Sequence, residues 1–228
     1  MAKPPSRRSS AGEIQQFLQK SRAISEFVAR RPRLLFAVDA TASRQATWDR
    51  ASHLQQEMFL ATAKVAELAV QLCYYRGFYD FSASPWLNDS AALSRRMGAV
   101  RCEGGHTQIR RLLRHAMNEH GEAPVRAVVF IGDALEESPA ALRASAGQCG
   151  MLKLPLFLFQ EGYDHQVEQT FRDMARLSGG AWARFDAASA DTLASLLGAV
   201  ARYAAGGRTA LENSDSGSAK LLLQQLRN

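Results

Sequence analysis

The sequence predicts an α/β protein: a Rossmann-like, mostly parallel sheet with helices on both faces and one antiparallel edge strand. Three observations carry this. Short apolar runs of buried-strand type alternate with longer segments of helical period along most of the chain. Consecutive runs of that kind, joined by helices, pair in parallel and need cover on both sides. Two of the runs stop abruptly at an aspartate, Asp39 and Asp133, where the carboxyl end of a parallel strand would open onto a ligand crevice.

Taken in order, the elements begin after a start rich in Pro and Ser. Ile14, Phe17, Leu18, Ile24, Phe27 and Val28 are spaced as one face of an amphipathic helix. Residues 33–38 are a first buried strand, and Ala51, Leu54, Met58, Ala61, Val65 and Leu68 recur at helical spacing over 47–68. Residues 70–75 read as a strand, and Gly77 turns the chain into a second extended run over 78–81, the antiparallel edge. Helices follow over 90–97 and, beyond Gly104 and Gly105, over 107–119. The second half repeats the theme: strand 125–131, helix 139–146, strand 154–159, helix 165–177 stopped by Gly179-Gly180, and strand 181–185. Ser189 can cap a closing helix that buries Leu193, Leu196, Leu197 and Val200 and ends at Gly206-Gly207.

This divides the chain into a basic arm with an amphipathic helix (1–32), a folded domain (33–207), and a polar linker with a short leucine-rich end (208–228). Leu221, Leu222, Leu223 and Leu226 are too apolar to stay in water, so that end is expected to dock on the domain's own helices. With 228 residues, 46% of them hydrophobic, the chain can bury a sizeable core without disulfide staples. Cys73, Cys102 and Cys149 are odd in number, widely spaced and without a CxxC pair, which reads as reduced thiols. The first residues lack the apolar core of a signal peptide, and no apolar stretch approaches the roughly 20 residues that span a bilayer. The expectation is a cytoplasmic protein with no membrane span.

The net charge of +6 is local: residues 1–33 hold eight basic and two acidic side chains, and the remainder holds twenty of each. A basic arm touches phosphate without specificity, whereas nucleic-acid recognition needs a basic stripe on a folded face. Nucleic acid is therefore not the expected partner.

Chemistry gathers at three loops. After the first strand, Asp39, Thr41 and Ser43 alternate, so three oxygen-bearing side chains can point one way. Gly104, Gly105, His106 and Thr107 place another hydroxyl at the start of a helix, and Asp133 closes a later strand. Carboxylates and hydroxyls without thiolates form a hard-oxygen site suited to Mg²⁺, with Mn²⁺ or Ca²⁺ as substitutes, and not to zinc. A cage carrying few charges leaves the cation electrophilic and open to an oxygen from outside.

These residues resemble the metal-ion-dependent adhesion site (MIDAS) of the von Willebrand factor A (VWA) family, which pairs a DxSxS loop with a distant Thr and a distant Asp. DATAS supplies Asp39, Thr41 and Ser43, GGHT supplies Thr107, and FIGD supplies Asp133. The resemblance covers roughly residues 33–207, with LPLFLF as the fifth strand and ARLSGGAWARFD as helix, turn and last strand. Thr41 stands where Ser is usual, and Gly132-Asp133-Ala134 where Thr-Asp-Gly is common. The resemblance implies a VWA fold and a protein-binding module, not an enzyme. Its bound cation would take one coordination position from an Asp or Glu carboxylate of a partner protein.

Two alternatives use the same residues. A metal-dependent phosphoester hydrolase would recruit Glu136 and Glu137 beside Asp133, although these read more simply as acids at a helix start. An RNA-associated factor of the same family would need a basic face on the folded body. A dehalogenase-type phosphatase would require a second Asp at position 41, where Thr41 stands, and no GxGxxG strand end, Walker loop or GxSxG elbow occurs. His106 reads as a rim residue, Cys73 as core, and Tyr74, Tyr75 and Arg76 as edge-strand packing, with Arg76 within reach of the site's rim.

Overall fold

The computed structural model describes residues 31–42, 68–185 and 190–226, with Gly12 and Gln15 isolated ahead of them. Residues 1–31 and 32–228 form separate compact units, and the sheet belongs to the second. The helices expected over 14–28 and 47–68, and the cap at Ser189, lie outside the described residues.

The elements are β1 (Arg33–Asp39), β2 (Ala69–Arg76), β3 (Asp80–Ala83), α1 (Ser90–Ala99), α2 (Ile109–Glu122), β4 (Val125–Gly132), α3 (Pro139–Met151), β5 (Leu156–Glu161), α4 (His165–Ser178), β6 (Ala181–Phe185), α5 (Ala190–Glu212) and α6 (Gly217–Leu223). They build one six-stranded sheet in the order β3-β2-β1-β4-β5-β6. Among the described strands, only the β2–β3 pair is antiparallel. The edge strand starts two residues later than its apolar run suggests, because residues 77–79 are spent on the turn.

Strand side chains alternate between two cores. Leu34, Phe36 and Val38 join Val129 and Phe159 on the face covered by α1, α5 and α6. Leu35 and Ala37 join Val128, Phe130 and Leu158 on the face covered by α2, α3 and α4. Two-sided cover is why β1 reads as unbroken apolar sequence: residues 34–38 are all at most 1% exposed.

Helix ends follow their side chains. Asp89 accepts from Ala92 N–H (2.7 Å) ahead of α1, and Asp164 from Val167 N–H (2.9 Å) ahead of α4. Gly179 closes α4 in the left-handed region, φ 76°. The glycine pair at 206–207 does not end α5 as expected: only Gly207 breaks it, at φ 68°, and helix resumes to Glu212. The reason is apolar. Leu211, Ala219, Leu222 and Leu226 all bury in the same core as α5, so the chain's last segment docks on its own domain. Gln225 completes the docking, its carboxamide accepting from Trp182 N–H (3.0 Å) and donating to Trp182 C=O (2.8 Å). That side chain stands in for a neighbouring strand at the open edge of β6.

Candidate metal centre

Strand order reverses between β1 and β4: the chain winds outward through β2 and β3, then returns to β4 and winds the other way. The register pairs Val38 with Ile131, so Asp39 and the Gly132-Asp133 step leave the sheet side by side at its carboxyl edge. That is the topological crevice of a doubly wound sheet.

Asp39 ends β1 with no exposure. Its Oδ1 accepts from Thr41 N–H at 2.8 Å, and its Oδ2 from the Tyr75 hydroxyl at 3.0 Å. Two donors on one buried carboxylate fix its orientation. Thr41 is half-buried in the loop just beyond, and Ser43 lies outside the described residues. Thr107, 6% exposed, is tied reciprocally to the loop after β4. Its N–H donates to Glu136 Oε2 (2.6 Å), and its Oγ1 accepts from Glu136 N–H (3.0 Å). Asp133, three residues before Glu136, is partly exposed in that same loop. The fold thus carries Asp39, Thr41, Thr107 and Asp133 to one sheet edge, on three adjoining loops.

Several partners were not foreseen. Tyr75 is no edge-packing residue: it is 1% exposed and orients Asp39 from the next strand. Glu136 and Glu137 are not first-turn acids of α3, which begins at Pro139. They serve α2 instead, Glu136 through Thr107 and Glu137 by accepting from Ile109 N–H (2.5 Å) and Arg110 N–H (3.0 Å). Burial lifts the Glu137 carboxyl above its ordinary range, opposed by those two hydrogen bonds. Its charge at the start of α2 also meets the helix dipole favourably.

The Thr107 loop is held from the other side by the β2–β3 turn. His106 N–H donates to Gly77 C=O (3.2 Å), and a Cβ on Gly105 would lie 1.9 Å from that same oxygen. Glycine at 105 is therefore required by backbone contact. Arg76 stitches the turn to the preceding loop through Asp80 (2.7 Å) and Glu103 (3.1 Å). The His106 ring rests edge-on against Phe78 at 5.1 Å.

No family model and no curated protein matches the sequence. Solved structures do match in shape. A von Willebrand factor type A protein from Catenulispora acidiphila superposes with a TM-score of 0.63 at 16% identity, over 77% of this chain and 43% of that one. The SpRpn10 VWA domain does so at 0.56 and 9% identity, over 72% of this chain and 95% of that one. Proximal thread matrix protein 1 from the mussel byssus, solved with a zinc-occupied MIDAS motif, gives 0.59 and 14% identity, over 76% of this chain and 46% of that one. The chain thus spans less than half the length of the first and third of these structures. At such identities the likeness is one of architecture, and the chain has the α/β fold of von Willebrand factor A domains.

Proposed function

We propose that this domain is a protein-binding module in which a divalent cation, held by Asp39, Thr41, Ser43, Thr107 and Asp133, captures an Asp or Glu carboxylate of a partner protein. The observation that carries the reading is the buried Asp39 carboxylate at the strand-order reversal, oriented by Thr41 and Tyr75. Held at a fixed angle at the carboxyl edge of the sheet, that carboxylate offers a divalent cation a preset oxygen ligand. The donor set fits a hard ion: carboxylates and hydroxyls only, with Mg²⁺ favoured and Mn²⁺ or Ca²⁺ as substitutes. The mussel protein with zinc at its MIDAS motif supports a divalent ion at this place in the fold.

When bound, the ion supplies positive charge with open coordination positions. The chain's own residues do the rest: Tyr75 and Thr41 fix the angle of Asp39, and the Thr107–Glu136 clasp fixes the hydroxyl at 107. Binding is favoured over hydrolysis by the fate of the neighbouring acids. Glu136 accepts from Thr107 N–H, and Glu137 spends its carboxylate on two backbone donors of α2. These structural roles support the binding reading over a two-metal hydrolytic centre. A reducing, cytoplasmic setting accords with the free thiols of Cys73 and Cys149, both buried.

The test is a paired pull-down with wild type and Asp39→Ala, each with Mg²⁺ or chelator, beside a phosphatase and nuclease screen in Mn²⁺. The expected outcome is partner capture that needs both the metal and Asp39, with no turnover. Turnover that requires Mn²⁺ and vanishes in Asp39→Ala would replace the binding module with a hydrolase.

A further inference from the structure

A groove of about 480 Å³ opens beside Thr107, between the β2–β3 turn, α2 and the Ser145–Gln148 stretch of α3. Its walls are of two kinds. Arg110, Arg111 and Arg114 line it from α2, all exposed, and Phe78 and Tyr79 line it from the turn. Phe78 is 60% and Tyr79 89% exposed, a large apolar area to leave adjacent in water. The turn is not loosely placed, because Gly77 packs backbone to backbone on Gly105 and Phe78 leans on His106.

Local acids offset only part of the groove's positive charge, Glu137 being the one that lines it and faces Arg110. Asp80 and Glu103 are both engaged by Arg76. Glu137 is occupied with α2 backbone donors, and Arg110 steadies its charge. Arg111 is braced by Tyr79 C=O (2.7 Å), Gln108 Oε1 (3.0 Å) and the Phe81 ring (5.3 Å). Arg114 forms no ion pair among the described residues. Braced guanidinium beside exposed aromatic rings is the composition of interface hot spots.

We infer that this groove docks an acidic peptide segment of the partner, its carboxylates on Arg110 and Arg114 and an apolar side chain against Phe78 and Tyr79. The inference deepens the binding-module reading and rests on it in one respect: the same partner would reach the cation at Thr107. Charge complementarity selects the occupant. Three arginines within five residues of one helix make a short acid-reading patch, not the long basic stripe that tracks a nucleic acid.

The experiment is fluorescence anisotropy on the full chain with three labelled probes: a glutamate-rich octapeptide carrying phenylalanine, its lysine-rich counterpart, and oligothymidylate. Each is titrated in Mg²⁺ and again in chelator. Wild type is expected to prefer the acidic peptide, and Arg110→Glu/Arg114→Glu to weaken it by at least about tenfold in both buffers while gaining affinity for the lysine peptide. Both arginines are exposed, so the melting temperature should hold, and the reversed preference rules out simple misfolding. Tyr79→Ser should narrow the advantage of the phenylalanine peptide over an alanine version. Loss on arginine reversal with no effect of chelator or Asp133→Ala would keep the groove and sink the cation reading. Loss on metal removal alone, with the arginine variant binding like wild type, would sink the groove and keep the cation. Preference of the wild type for oligothymidylate, or no binding of the acidic peptide at millimolar concentration, would overturn the inference.

Discussion

At position 39 a carboxylate with no exposure is tolerated because donors reach both of its oxygens, one from Thr41 N–H and one from the Tyr75 hydroxyl. The first donor is two residues away and belongs to the loop chemistry visible in the sequence. The second is 36 residues away and was not legible, since nothing local marks a strand tyrosine as the partner of a distant aspartate. Glu136 and Glu137 escaped notice for the same reason, with partners 29 and 28 residues back along the chain. Tyr75→Phe keeps the ring in its core and removes only the donor. The expected loss is about 2 kcal/mol of stability, the size of a hydrogen bond to a charged group, read by urea denaturation. A variant as stable as wild type would show that the hydroxyl does not support Asp39.

Among the elements, α2 is where the loops converge, because its first amides are satisfied by side chains from the loop after β4 rather than by a cap of its own. The helix itself was legible from Ile109, Leu112, Leu113 and Ala116 on one face, but its cap comes from the neighbouring loop. Glu137→Ala should cost about 1 kcal/mol, as the loss of a helix cap does. Glu137→Gln keeps an acceptor and should be milder. The pH dependence has a definite sign. Burial raises the folded carboxyl above its unfolded value, so its stabilisation is present below the unfolded value and is lost as pH rises through the folded one. Denaturation midpoints for wild type and Glu137→Gln should therefore diverge as pH rises across that window, with the wild type falling relative to the variant. Parallel curves would refute the assignment.

For the whole molecule, the alternation of strands and helices was legible because the parallel strands are apolar on both faces and the helices on one, the edge strand β3 being the exception. Beyond Gly207 the docking of the leucine-rich end was legible from its apolar residues, but the helix's continuation to Glu212 was not, because two glycines read as a stop while Leu211 pulls the next turn into the α5 core. Leu222, fully buried there, gives that docking a measurable weight. Leu222→Ala should destabilise the domain by about 2–5 kcal/mol, and a change under 1 kcal/mol would mean that the tail is dispensable. At the carboxyl edge, the decisive measurement is calorimetric titration of Mg²⁺ into wild type and Asp133→Ala. Wild type should bind the ion and melt at a higher temperature in its presence, by mass action on the native state. Asp133→Ala, altered in a loop and not in the core, should stay folded and lose most of that affinity. No heat and no shift in melting at millimolar Mg²⁺ or Mn²⁺, or undiminished binding by Asp133→Ala, would contradict a cation site at Asp39 and Asp133.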